Sequence, residues 1–362
     1  MILDKLSIIN FKNIRDERLE LSAGINCLVG DNGAGKTNIM DAVSYLALAK
    51  SMHATSDSQC VCHGEETFLV EGSFTRDDSR IEQVVCGYSR RGGKVLKRNG
   101  KEYDKLSEHI GHFPIVVVSP ADSDLISDSA EERRKYLNRL ISQTDRQYLA
   151  AAIRYNQALQ ERNKLLKTNP SEEMLLIYDM MLDDSAKFIF ERRTEVVKRL
   201  LPLVERYYAL LSSERETIGM EYRSDLQNGT MSELLLDARR KDFINEHTTV
   251  GIHRDDVLFT IAGYPLRKFG SQGQQKSFLV ALKLAEYTLL AEHNGEKPIL
   301  LLDDLFDKLD MGRVAQLLRL VGGELFGQIF ITDCNKHRLQ RTLSEAGAEY
   351  KLFTIAEGRQ QL

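Results

Sequence analysis

Gly30-Asp31-Asn32-Gly33-Ala34-Gly35-Lys36-Thr37 fits the pattern G-x-x-x-x-G-K-[ST] of a phosphate-binding loop set between a strand and a helix. In such a loop the glycines let the backbone close around phosphates, the Lys36 ammonium reaches the β and γ oxygens, and the Thr37 hydroxyl completes a Mg²⁺ shell. The flanks agree with this reading. The apolar run Ile25–Val29 reads as a short buried strand, and residues 38–49 carry apolar side chains at helical spacing. The loop therefore opens a helix, whose N-terminus favours anions. Nucleotide binding is expected from Gly30, Asp31, Asn32, Gly33, Ala34, Gly35, Lys36, Thr37 and Asn38, with ATP and Mg²⁺ as ligands.

Outward from the loop, the first third of the chain is strand-rich, with strands expected at 3–10, 17–21, 25–29, 67–75, 81–88 and 115–118. Asn99-Gly100 predicts a hairpin turn, since both residues tolerate positive φ. Character changes after Pro120. Residues 131–167 contain no Pro or Gly, and Leu137, Leu140, Ile141, Tyr148, Ile153, Leu159 and Leu166 recur near helical spacing. Asn169-Pro170 breaks this run, and a second helical stretch covers about 171–211, with Pro202 as a kink or boundary. Two helices of roughly 37 residues joined by a short turn predict a hairpin on the order of 50 Å long. Two separate core helices of a compact bundle are the alternative. Strand character returns at 257–261, followed by a helix from about 274 to 292 and apolar strands at 299–302 and 329–332.

A P-loop needs a carboxylate on a neighbouring strand to orient the Mg²⁺ shell. Asp303, at the end of Ile299-Leu300-Leu301-Leu302, is the candidate, with Asp304 beside it to polarise the attacking water. Lys36 and Asp303 lie near opposite ends of the chain, so both ends must converge on one sheet around a large insertion. Between them, Ser271-Gln272-Gly273-Gln274 precedes a helix. Its free N–H groups and the Ser271 hydroxyl suit a γ-phosphate, while taken alone it is a helix cap.

The order P-loop, Ser271-x-Gly273-Gln274, Asp303-Asp304, Leu309-Asp310 and Thr332-Asp333 resembles the ABC-type ATPases, and within them the RecF family of bacterial recombinational repair. Four further stretches carry the likeness: Leu6-Ser7-Ile8-Ile9-Asn10-Phe11-Lys12-Asn13; Ser119-Pro120-Ala121-Asp122 with Glu132-Arg133-Arg134-Lys135-Tyr136-Leu137; Val250-Gly251-Ile252-His253-Arg254-Asp255-Asp256; and Gly270-Ser271-Gln272-Gly273-Gln274-Gln275-Lys276. The resemblance implies an α/β fold, an ABC-type P-loop ATPase head split across the chain, with an inserted, mainly α-helical arm domain. Its parts would be 1–120, the N-terminal half of the head; 121–240, the arm; and 241–362, the C-terminal half. It also implies that ATP is sandwiched in a homodimer. Lys36, Asp303 and Asp304 would be catalytic, Thr37 and Asp303 would hold the metal, and Ser271, Gln272, Gly273 and Gln274 would act in trans. Thr332 and Asp333 would form a switch. Lys12 and Asn13 would line the base pocket, or form a plain exposed turn.

The further implications are a clamp on duplex DNA near single-strand gaps and single-strand/duplex junctions, partnership with RecR and RecO in loading RecA, and slow hydrolysis driving release. Some positions depart from the family pattern: Ile252 replaces the usual proline before His253, and Asp304 stands where a Glu is common in ABC ATPases. Asp333 replaces the His of transporters, and no glutamine marks a Q-loop, leaving Asp122 or Asp124 as its substitute. The competing functions are the ATPase subunit of an ABC transporter and a non-hydrolysing nucleotide-switch scaffold.

Composition limits the rest. A net charge of -4 in 362 residues means that any nucleic-acid contact must come from a local patch. Residues 76–101 hold eight Lys or Arg against three acids. Arg90, Arg91, Lys94, Lys97 and Arg98 are accordingly the DNA-binding candidates, with a solvated hairpin face as the alternative. Five cysteines at irregular positions give no disulfide framework and suit a reducing cytosol. Cys60, Cys62 and His63 cluster, but without a second matching pair they read as ordinary loop residues rather than a metal site. No apolar run spans a membrane and no secretory signal opens the chain, so a cytoplasmic protein without membrane contact is expected.

Overall fold

The chain opens with a hairpin, β1 (Ile2–Phe11) and β2 (Ile14–Glu20), then the buried strand β3 (Ile25–Val29) and helix α1 (Lys36–Leu48). This is a computed structural model, describing residues 1–127, 129–168, 170–212, 216–304 and 311–361. Strands β4 (Thr67–Thr75), β5 (Ile81–Ser89), β6 (Gly93–Arg98), β7 (Lys101–Glu102) and β8 (Ile115–Val118) follow. A helical region comes next, with α2 (Asp124–Ser127), α3 (Ala130–Ser142), α4 (Arg146–Leu166) and α5 (Glu172–Ser212). After it come β9 (Ile218–Arg223), α6 (Met231–Asn245), β10 (Asp256–Ile261), β11 (Tyr264–Pro265), α7 (Leu266–Phe269) and α8 (Gln272–Asn294). The chain closes with β12 (Ile299–Leu302), α9 (Met311–Val321), β13 (Ile329–Asp333), α10 (Lys336–Glu345), β14 (Tyr350–Ala356) and β15 (Arg359–Gln361).

These elements fall into two compact units. The first holds residues 1–122, 210–213 and 276–362; the second holds 123–209 and 214–275. Residues 214–275, which the sequence reading divides between arm and head at 240/241, therefore belong to one unit.

The first unit contains two six-stranded sheets. One is antiparallel, in the order β2-β1-β4-β5-β6-β7; the other runs β15-β14-β3-β13-β12-β8, parallel except for β15. Ile39, Met40, Ala42, Val43, Tyr45 and Leu46 of α1 are buried, as are the polar Asp41 and Ser44, so this helix is enclosed rather than amphipathic at a surface. It packs on β1, β4 and β5 of one sheet and on β8 and β13 of the other, and a single apolar core joins the two sheets through it. Both ends of the chain thus meet on the parallel sheet. Asn99 and Gly100, at φ 52° and 78°, make the expected mirror-image turn between β6 and β7.

In the second unit, the expected single helix over 131–167 is two helices. The break at 143–145 needs no Pro or Gly: the Asp145 carboxylate accepts the Tyr148 N–H at 2.9 Å and caps α4. Pro202 does not end its helix but lies inside the continuous 41 residues of α5, roughly 60 Å of helix. Asn169 lies outside the described residues. Buried Arg162 ties the helices together, donating to Asp179 at 2.7 Å, to Asp242 at 2.7 Å and to the Thr248 hydroxyl at 2.7 Å. Arg239 pairs with the other oxygen of Asp179 at 2.7 Å. Removing one member of such a network strands the rest as buried charge, so Arg162→Met is expected to lose about 3–5 kcal/mol of stability. Urea unfolding of the full chain measures it, and a loss below about 1 kcal/mol would mean the network is replaceable.

The run Val250 to Asp256 is part of this scaffold. Gly251, at φ 114°, starts a tight turn over Ile252–Arg254 without needing the proline that Ile252 replaces. Buried Arg193 donates to the Asp255 carboxylate at 2.7 Å and to the Ile252 carbonyl at 2.8 Å, and Tyr222 donates to the same carboxylate. Burial pushes the Asp255 carboxyl above its usual range, against the pull of Arg193. His253 takes a hydrogen bond from the Tyr155 hydroxyl at 2.8 Å, and burial lowers its pKa to about 4. Among the described residues, no helix is long and apolar enough to cross a membrane.

Candidate functional site

The P-loop joins β3 to α1, and two of its glycines are required by close approach. A Cβ on Gly30 would lie 2.1 Å from the Ile355 carbonyl oxygen. One on Gly35, at φ 109°, would lie 3.0 Å from Asn13 Oδ1 and 3.1 Å from Gly358 Cα. The β14–β15 turn supports the loop from behind, Gly358 N–H donating to the Ala34 carbonyl at 2.8 Å. Lys36 Nζ donates to the Gly30 and Asp31 carbonyls at 2.7 and 2.8 Å, bridging the loop.

Asp303 leaves the end of β12, yet β12 is not the neighbour of β3: β13 lies between them. The Thr37 hydroxyl still reaches Asp303 Oδ1 at 3.0 Å, and Thr332 at the end of β13 donates to the same oxygen at 2.7 Å. Thr332 thus bridges the gap the sheet order creates. Its hydroxyl also accepts the Asp304 N–H at 2.8 Å. Asn32, Gly33, Gly35, Lys36, Thr37, Asn38, Asp304 and Thr332 line a cavity of about 200 Å³. Thr37 and Asp303 place two hard oxygen donors together, which fits Mg²⁺, an ion commonly held by one or two protein oxygens plus phosphate and water.

Other expected residues fall differently. Lys12 and Asn13 form the turn between β1 and β2. Asn13 touches the loop, donating to the Gly33 carbonyl at 3.2 Å and accepting from Asn38 at 2.7 Å. Lys12 instead pairs with buried Asp41 of α1 at 2.5 Å. Asp333 accepts from Arg338 of α10 at 2.7 Å and does not line the cavity. Asp122 is engaged by the Ser119 N–H at 2.7 Å and by buried Lys283 at 2.9 Å. Leu309 and Asp310 lie outside the described residues. Cys60 and Cys62 are buried, and no group of three or more metal-ligating side chains occurs among the described residues.

Ser271 precedes α8, which starts at Gln272, two residues before the expected position. Its hydroxyl accepts the Gln274 N–H at 3.3 Å, and Gln274 Oε1 accepts the Ser271 N–H at 2.7 Å, a reciprocal capping box. Gln274 also donates to Glu216 at 2.8 Å.

The basic hairpins divide into two groups. Lys94 is tied to Asp57 at 2.8 Å and to the Ala49 carbonyl at 2.6 Å. Arg98 chelates Glu82 at 2.7 and 2.8 Å, and Arg76 joins from the other side at 3.3 Å. Burial opposes ionisation of Glu82, but the hydrogen bonds from Arg98 and Arg76 prevail and hold its carboxyl below the usual range. Lys94 and Arg98 are thus committed within the fold. Arg90, Arg91 and Lys101 remain exposed and Lys97 half-exposed.

Comparisons with known proteins agree with this architecture. The profile of the RecF/RecN/SMC N terminal domain matches residues 2–359. The DNA replication and repair protein RecF of Bacteroides fragilis (strain YCH46) is 42% identical over 360 residues, covering 99% of this chain and 97% of that protein. A solved structure of the recombination mediator protein RecF-ATPrS in the RecFOR pathway is 31% identical with a TM-score of 0.89, covering 99% of this chain and 97% of that one. The Smc head bound to the C-winged helix domain of ScpA is 15% identical with a TM-score of 0.60, covering 100% and 96%. That last likeness is one of fold alone.

Proposed function

The chain belongs to the RecF family, within the RecF/RecN/SMC N terminal domain group, and from that premise we propose that it is an ATP-switched DNA-repair protein. ATP binding dimerises it, the dimer clamps duplex DNA near single-strand gaps, and it works with RecR and RecO to load RecA; slow hydrolysis releases it. Membership of this family sets aside the transporter subunit. The observation that carries the switch is the cavity. Among the described residues its lining comes from the first unit, and at about 200 Å³ it is smaller than the roughly 300–1,000 Å³ of ordinary ligand pockets. A second surface is needed to enclose ATP, and Ser271 to Gln274 of another copy would supply it.

Each residue then has one task. Lys36 neutralises phosphate charge, Thr37 and Asp303 hold Mg²⁺, Thr332 keeps Asp303 in place, and Asp304 orients the attacking water. Bound Mg²⁺ would supply charge neutralisation at the β and γ phosphates. The test is ATPase rate against protein concentration, with and without duplex DNA. A composite site requires specific activity to rise with concentration; activity independent of concentration and of DNA would sink it.

Arg90, Arg91 and Lys97 are the DNA contacts this reading retains. Changing all three to Gln is expected to weaken duplex binding and to reduce the salt slope by about 0.9 for every phosphate no longer neutralised. Fluorescence anisotropy across a salt series measures both quantities. An unchanged slope would place the DNA surface elsewhere.

A further inference from the structure

Near the start of α8, the second unit carries an exposed aromatic pair that the nucleotide and DNA readings leave unused. Tyr264 is 59% exposed and Phe269 62% exposed. Their rings lie 5.1 Å apart at an interplanar angle of 42°. Arg267 and Lys268, between them in sequence, are exposed as well.

This ledge is held firmly. Ala262 and Gly263, at φ 48° and 79°, form a two-residue turn that sets Tyr264 opposite Ile261. Leu266 is fully buried beneath the exposed residues. The Gln275 amide donates to the Gly270 carbonyl at 2.9 Å, tying α7 to the first turn of α8. Two large rings kept in water by a rigid support, with cations beside them, mark an interaction surface.

We infer that Tyr264, Phe269, Arg267 and Lys268 form the part of the ATP-dependent interface that grips a second copy of this chain around its phosphate-binding loop. The inference rests on the composite-site reading above. Phe269 precedes Ser271 by two residues, so their backbones lie within about 8 Å of each other. Any association that brings Ser271 to a phosphate held by another copy brings the ledge against the same face. Charge agrees: a bound triphosphate, exposed Asp31 and cavity-lining Asp304 make that face anionic, opposite Arg267 and Lys268. Single-stranded nucleic acid, which stacks on exposed aromatic faces, is the competing occupant, and binding measurements separate the two.

The experiment is sedimentation velocity of the full chain with a non-hydrolysable ATP analogue. Tyr264→Ser combined with Phe269→Ser is expected to raise the dimer dissociation constant roughly 30-fold. Binding of a fluorescent nucleotide by the dilute monomer should not change, which also reports on folding. Arg267→Glu with Lys268→Glu should weaken association similarly, whereas Tyr264→Phe with Phe269→Tyr should preserve it. If the wild type does not associate with the analogue, the composite-site reading fails and takes the ledge with it. If the wild type associates and the double-serine variant associates equally well, the ledge alone is wrong. Loss of single-stranded DNA binding with association unchanged would likewise overturn the inference, in favour of a nucleic-acid surface.

Discussion

Asp304→Asn is expected to yield a protein that binds ATP and dimerises yet hydrolyses at least about 100-fold more slowly, the usual scale for removing a general base. Asp304 sits at φ 50°, a left-handed conformation that asparagine adopts about as readily as aspartate. Its N–H bond to the Thr332 hydroxyl, 2.8 Å, involves the backbone and survives the change. What disappears is the carboxylate charge at the cavity wall. Single-turnover hydrolysis measures the chemical step, and sedimentation with ATP should show dimers that persist. Hydrolysis at the wild-type rate would remove Asp304 from the water-activating role.

Lys36→Met should act at the preceding step, weakening ATP binding and with it association. Methionine keeps the unbranched apolar stem of lysine but loses the charged end. Charge-assisted hydrogen bonds are worth about 1.5–3 kcal/mol each, so a loss near the upper figure means roughly 100-fold weaker binding. The loop itself also loses the bonds from Nζ to the Gly30 and Asp31 carbonyls, so part of the effect would come from a less ordered loop. Calorimetric titration of nucleotide distinguishes this variant from Asp304→Asn, which should bind normally. Affinity within about threefold of wild type would show that the ammonium does not contact phosphate.

The two variants probe a site whose parts differ in how readily the chain displays them. Strands at 25–29, 67–75 and 115–118 coincide with their observed limits, because short apolar runs bounded by turn residues leave little freedom in where a strand begins. The helix break at Gln143–Asp145 is not legible. Asp145 lies in a polar stretch that reads equally well as a helix surface, and only the bond to the Tyr148 N–H marks it as a cap. Charges are harder still. Arg98 and Arg91 look alike in sequence, but the β5–β6 register places Arg98 opposite Val84, within reach of Glu82, while Arg91 sits exposed beyond the strand ends. Thr332 stands out by its place at the end of an apolar strand, but its link to Asp303 follows from the sheet order.

What the sequence determined unaided is therefore local. The eight residues from Gly30 to Thr37 specify a phosphate loop, the apolar runs around them specify strands, and the separation of Lys36 from Asp303 requires the ends of the chain to share a sheet. Tertiary structure alone decided that β13 separates β3 from β12, that Thr332 spans the interval, that Lys12, Lys94 and Arg98 are held by carboxylates, and that 214–275 belong with the helices. The physical reason is range. Backbone conformation and burial pattern are set by neighbours within a few residues, whereas the partner of a charge is set by which distant strand or helix the fold brings beside it.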